Sequence, residues 1–379
     1  MNKKKADLLP LGVIEKLGFF EGSKGSALLG WIDQNWAKQH KILLLLNGQV
    51  VSETYAGRKT VPVEGAKKES KLLEFAFRCD DLMAYLGDGD TIEIVCDNEP
   101  LYISSHGYKL VIKNNQDSRA DEVLDRLQRG YVFDNLGRLI RVKDEESVNK
   151  IFFLYEDLGQ FIKKRYGYDL MVCFGALLGA VRENNFIKHD TRGLDAIYIS
   201  DYTKPEEVVG EFKQICFDLI EAGYMVRINP ESAYVNSLES GSRFVDLNYG
   251  WFTENDELNV AFGWYEEPAR GRDKYFTFRE TMMAGKTIRI PGNAEEILYQ
   301  CYGQNWHIPD QGFMHDISKR VVKTEYLIPY EEVISMLHGH LKHTYQAWKY
   351  EKENNLIKSI LKKIIPLPFK RFYHKIVAK

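Results

Sequence analysis

The sequence predicts a mixed α/β domain, preceded by a small all-β module and followed by a helical tail. Short apolar runs separated by turn residues fill the first third of the chain. Strand–helix–strand alternation fills the middle, and helically spaced apolar residues opposite lysines mark the end. At 379 residues the chain exceeds what one hydrophobic core usually organises, so two domains and a tail are expected.

Hydrophobic residues make up 44% and aromatic residues 13% of the chain, the composition of a folded protein. The formal net charge of −3 gives no basic footprint for nucleic acid. Five cysteines, Cys79, Cys96, Cys173, Cys216 and Cys301, are odd in number and include no CxxC pair. That pattern suggests neither a disulfide framework nor a zinc site and fits a reducing cytoplasm. The N-terminus has lysines but no uninterrupted apolar stretch or small-residue cleavage site. No segment approaches the roughly 18 to 20 apolar residues needed to cross a bilayer, so a membrane role would be peripheral, on the cytoplasmic face.

Residues 1–17 form a lead. Over 18–113 the runs 27–32, 41–46, 50–55, 72–78, 91–96 and 109–112 read as strands of a β-sandwich. Asn47-Gly48 between two of them is a hairpin signal, because both central positions of a type I′ turn need positive φ. Residues 114–146 are polar and read as a linker with a short helix at 120–128 and a turn at Asn135-Leu136-Gly137. The second domain, 147–330, opens with a helix over 147–164. Its alternation then runs strand 170–174, helix 177–182, strand 194–199, helix 205–222, strands 224–229 and 243–249, strand 287–290 and helix 294–302. The tail, 331–379, spaces Ile357, Ile360, Leu361 and Ile364 on one helical face with lysines on the other. Its basic and aromatic end suits a lipid headgroup boundary on the inner leaflet.

The chemistry concentrates between Tyr168 and Asp195: a buried strand, a glycine turn at Gly175, a short helix, then a loop carrying His189 and Asp190 into a strand that bears Asp195. Gly175 and Ala176 place backbone amides where they can approach a phosphate. Carboxylates on the adjoining strand can hold a divalent cation bridging that phosphate. Asp246, inside the apolar run that follows Arg243, supplies a third acid, for the metal shell or for proton transfer. Taken alone it reads as an edge or cap carboxylate, because single acids in strands are common. His338, His340 and His343 point to different faces of a helix and read as solvated surface residues. Trp251, Phe252, Phe262, Trp264 and Tyr265 read as core, with sugar stacking as the alternative.

Residues 177–182, Leu-Leu-Gly-Ala-Val-Arg, followed by Phe186-Ile187, Asp190, Asp195, the later apolar-Asp strand at Asp246 and the run 295–306, resemble the LicD family, related to fukutin. The resemblance covers roughly residues 147 to 315. It implies a nucleotidyltransferase-like fold and transfer of phosphocholine or a phosphoalditol from a CDP-linked donor to a hydroxyl of a surface or lipid-linked glycan, in capsule, teichoic acid or lipopolysaccharide. By the same resemblance Asp195 and Asp246 would hold Mg²⁺, or Mn²⁺ in its place, with Asp190 as a further ligand or the base. Arg182 and His189 would face phosphate, with a helix-end salt bridge and a solvated loop histidine as the alternatives.

Two departures fall at the chemistry. Arg192-Gly193 stands where the family carries a metal-binding aspartate, and Ala176 stands where it often has a hydroxyl. Acids at i and i+2 share one face of a strand, whereas Asp190 and Asp195 are five apart and must converge through the loop. The alternative function is therefore a non-catalytic relative that binds glycan or nucleotide, or scaffolds polysaccharide synthesis. Gly30-Trp31 weakly resembles the sandwich modules attached to bacterial surface-glycan enzymes.

Overall fold

The computed structural model describes residues 13–14, 17–19, 26–33, 40–56, 72–103, 107–134, 136–190, 193–237, 244–263, 268–311, 313 and 324–336. The features predicted for the tail beyond 336, including His338, His340 and His343, lie outside these residues, as do Thr191, Arg192, Arg243, Trp264 and Tyr265.

In the first part of the chain, Ser26–Asp33 pairs antiparallel with Leu17–Phe19 and Leu72–Arg78. A second sheet runs in the order Leu110–Val111, Thr91–Cys96, Lys41–Leu46, Gln49–Tyr55. Alternate residues Ile42, Leu44 and Leu46 are buried, as are Ile92, Ile94 and Cys96 on the next strand, the period of two that a half-buried strand requires. These residues join Leu28, Ile32, Phe75 and Phe77 of the first sheet in one apolar cluster. Asn47 (φ 50°) and Gly48 (φ 79°) make the predicted hairpin turn. Gly30 lies flush on Phe75, since a Cβ there would come 2.4 Å from the ring, and Trp31 is buried. The Gly-Trp pair is thus accounted for by packing.

The predicted helix Ala120–Gln128 forms, and Tyr131–Phe133 and Leu139–Arg141 make a hairpin around the predicted turn. Ala120, Val123, Phe133 and Leu139 join the first cluster.

A second apolar cluster spans residues 151 to 336. Helix Glu145–Tyr166 opens it, started by the Asp144 side chain accepting from the Ser147 amide (2.9 Å) and ended by Gly167 at φ 83°. Its sheet has the order Met171–Val172, Leu194–Ser200, Val245–Phe252, Ser232–Asn236, Met225–Ile228, and Leu258–Val260 also pairs with Val245–Phe252. Only the Leu194–Ser200 and Val245–Phe252 pair is parallel, so the sheet is mixed. Helix Pro205–Glu221 lies against it through Phe212, whose ring stacks on Tyr249 at 4.1 Å.

Several elements differ from the prediction, Leu258–Val260, Arg272–Phe276 and Arg279–Met283 among those the sequence pattern did not mark. The first strand is only Met171–Val172, because Phe174 turns the chain at φ 42°. The expected helix at 177–182 starts earlier, as Phe174–Leu178, and widens into a π-helical segment over Gly179–Glu183. Ser232–Asn236 is a strand that the sequence pattern did not mark.

Hydrogen bonds connect groups from the two clusters. Gln311, buried, donates from Nε2 to the Phe133 carbonyl (2.9 Å) and accepts from Ser52 Oγ (2.6 Å). No described helix is long and apolar enough to cross a membrane.

Candidate active site

Asp195 and Asp246 are direct partners across the parallel strand pair, each the second residue of its strand. Partnered residues project from the same face, with strands about 4.8 Å apart. The acids therefore stand side by side at the N-terminal ends of the two strands, whereas ligands of open parallel sheets lie beyond the C-terminal ends. Asp246 Oδ1 is closed off from solvent.

Phe174, an aromatic residue in the left-handed region, sharply redirects the chain out of Met171–Val172 and brings Gly175 against Asp195. A Cβ on Gly175 would lie 2.9 Å from Asp190 Oδ2 and 2.9 Å from Asp195 Oδ2. Two separate carboxylates thus each press an oxygen against the same side of residue 175, closely enough that only a glycine fits there without a shift. Asp195 Oδ2 also accepts from the Ala176 amide at 3.3 Å.

Asp190 reaches Gly175 through its loop. Its amide donates to the Ile187 carbonyl (3.0 Å), and its own carbonyl accepts from Lys143 Nζ at 2.5 Å. Lys143 lies over the Phe186 ring, 4.5 Å from its centroid. Gly193 explains why the acid comes from position 190. A Cβ at 193 would fall 2.1 Å from the Phe244 carbonyl oxygen and 2.6 Å from its ring, where Leu194 also donates to that carbonyl (3.1 Å). An aspartate at 193 would collide with the neighbouring strand, so the i, i+2 pair is sterically closed here and the longer loop delivers Asp190 instead.

The surroundings are electrostatically shaped by the acids. Burial, reinforced by Asp195 and Asp246, holds the Cys173 thiol well above its usual range. Burial, with Cys301, Asp195 and Asp190, does the same to the Tyr302 phenol, which stays protonated and able to donate. Sequence reasoning gave no role to Tyr302 or Lys143; the Tyr302-Gly303 pair was the signal for the first, and nothing marked the second.

The other predicted residues fall nearby. His189 is half-buried, and burial, helped by Arg182 and opposed by Asp190 and Glu183, lowers its pKa to about 4. It is neutral at pH 7 and presents an imidazole dipole to its surroundings. Arg182 pairs with Glu183 (2.7 Å) and donates to the carbonyls of Trp306 (3.1 Å) and Ile308 (3.5 Å), so its guanidinium clamps the closing segment.

Among the described residues no group of three or more His, Cys, Asp or Glu is arranged to enclose a metal. Asp190 and Asp195 are carboxylates, the donor type that Mg²⁺ takes together with waters and substrate phosphates. All five cysteines are buried and free.

No protein-family model and no curated protein matches the chain. Among solved structures, the STING-associated CdnE c-di-GMP synthase from Capnocytophaga granulosa is similar over 32% of this chain and 40% of its own, at 12% identity and a TM-score of 0.25. The chain spans less than half the length of that protein, and a likeness of this degree carries no weight for fold or function.

Proposed function

We propose that the protein transfers a phosphorylated small group, of phosphocholine or phosphoalditol type, from a CDP-linked donor to a glycan hydroxyl, on a nucleotidyltransferase-like domain of the LicD type. The observation that carries the reading is the approach of Asp190 Oδ2 and Asp195 Oδ2 to the same side of Gly175. Two acids and a glycine in this order are what the motif resemblance implies, and the loop length that set them five residues apart does not prevent their meeting.

In this reading Asp190 and Asp195 hold the divalent cation, Mg²⁺ or Mn²⁺, which when bound would neutralise charge on the donor pyrophosphate. Gly175 leaves room for the pyrophosphate to approach. The acceptor oxygen bonds to the phosphorus distal to the nucleoside, the bond to the CMP oxygen breaks, and Asp246, next along the sheet, takes the hydroxyl proton. The Tyr302 phenol faces developing charge as a donor. The protein would work in the cytoplasm, with the tail resting on the inner leaflet where lipid-linked acceptors are presented.

Incubation with CDP-choline, CDP-glycerol or CDP-ribitol and Mg²⁺ should release CMP, and Asp246→Asn should abolish the release. A second reading, a non-catalytic glycan- or nucleotide-binding or scaffolding relative, is favoured by the Ala176 amide being taken by Asp195 and by the structural engagement of Arg182. Absence of CMP with every donor, alongside intact glycan binding, would decide for it.

A further inference from the structure

The row of paired residues containing Asp195 and Asp246 continues across the sheet. Asp246 is the partner of Tyr234, and Tyr234 is the partner of Arg227 on the edge strand Met225–Ile228. The four residues belong to one face, since partners across a sheet project together. Burial alternation agrees. Val226 and Ile228 flank Arg227, Ala233 and Val235 flank Tyr234, Val245 and Leu247 flank Asp246, and Leu194 and Ala196 flank Asp195. Every flanking residue is buried, while Arg227 is exposed and the other three are half-buried.

Their side chains form a continuous strip. The Arg227 guanidinium lies over the Tyr234 ring, 5.0 Å from its centroid. The Tyr234 ring meets Phe244 at 4.7 Å, the same Phe244 against which Gly193 is flush. At one strand spacing per step, Arg227 stands about 10 Å from Asp246. Gly175 marks the opposite end, against Asp195, where the donor would sit. The sign of charge changes along the strip, from carboxylates at the reacting end to a guanidinium at the edge.

We infer that Tyr234 and Arg227 form an acceptor subsite for an anionic glycan, one carrying a phosphate or carboxylate about 10 Å from the hydroxyl that reacts. This rests on the transferase reading. A sugar or polyol unit passes beside Tyr234, whose ring Arg227 and Phe244 already flank, and the next anionic group pairs with Arg227, whose planar fork suits phosphate and carboxylate. A neutral glycan would leave the guanidinium unmatched.

The test uses the full chain and measures binding calorimetrically without donor, with poly(glycerol phosphate) and neutral dextran of matched length as probes. The wild type should bind the anionic polymer at least about tenfold more tightly than dextran, Arg227→Ala should lose about tenfold toward the polymer, and Arg227→Lys should recover part of it. Affinity for CDP-glycerol should be the same in wild type and Arg227→Ala. Equal binding of both polymers, or polymer affinity untouched by Arg227→Ala, overturns the subsite. Loss of CDP-glycerol affinity on Arg227→Ala overturns it too, placing the arginine with the donor. Assays of CMP release on the same preparations keep the two ideas apart. No release from any CDP donor counts against the transferase, whereas unchanged polymer affinity counts against the subsite alone.

Discussion

At Gly175 the absent side chain is what lets Asp190 and Asp195 share a point, since a Cβ would sit 2.9 Å from an oxygen of each. Gly175→Ala should push both carboxylates aside and cut CMP release by about a hundredfold, the scale of effect that a displacement near 1 Å can have. Release within a few-fold of wild type would show that the point is not used. The glycine, Asp195 and Asp246 were legible in the sequence because each lies within a local pattern. The need for Gly193 was not, because it arises from Phe244, 51 residues further along the chain and just before the next strand. A second residue-scale expectation concerns Glu211, which accepts from the Tyr168 hydroxyl (2.6 Å). Burial raises its pKa above 4.5 despite that bond. The folded state therefore holds the proton more tightly than the unfolded one. The associated stability is complete below pH 4.5 and is lost as pH rises through the folded value. Glu211→Gln should gain in Tm relative to wild type as pH climbs from 4.5 toward neutrality. A Tm difference that stays flat with pH would contradict it.

Among elements, Lys41–Leu46, Leu72–Arg78, Thr91–Cys96, Ala120–Gln128 and Ala294–Tyr302 have the bounds their periodicity indicates. Each is set by its own residues. The elements around the site are less legible for a physical reason. Phe174 takes a left-handed conformation that a bulky residue rarely adopts, so the strand stops early and the helix begins at once. Ser232–Asn236 is short, and it earns strand geometry from two antiparallel neighbours. The π-helical Gly179–Glu183 lets the chain fold back on itself, and a Cβ at Gly179 would come 2.5 Å from the Asn185 carbonyl oxygen. Alanine would gain about 1 kcal/mol in helix propensity. Crowding against backbone costs about 1 to 3 kcal/mol, so the clash wins. Gly179→Ala should lower stability in chemical denaturation, by up to about 2 kcal/mol net, and a stabilised variant would show that the return of the chain tolerates a side chain.

Across the whole molecule, one apolar cluster is drawn from residues 28–139, including part of the segment read as a linker, and another from residues 151–336, and Gln311 hydrogen-bonds to Ser52 and Phe133. The candidate site lies where distant segments meet. Lys143 comes from the stretch before the long helix, Asp190 from the loop, Asp195 and Asp246 from paired strands, and Tyr302 from the closing helix. Motif order pointed to most of these segments. Only the folded chain shows that Phe244 leaves no room for a side chain at Gly193 and that Asp190 and Asp195 both reach Gly175. The most direct measurement is Mn²⁺ binding by electron paramagnetic resonance in the presence of CDP-glycerol, comparing wild type with Asp190→Asn and Asp195→Asn. Each substitution should weaken Mn²⁺ binding by about tenfold or more, whereas Asp190→Asn binding Mn²⁺ as the wild type does would contradict the shared carboxylate site.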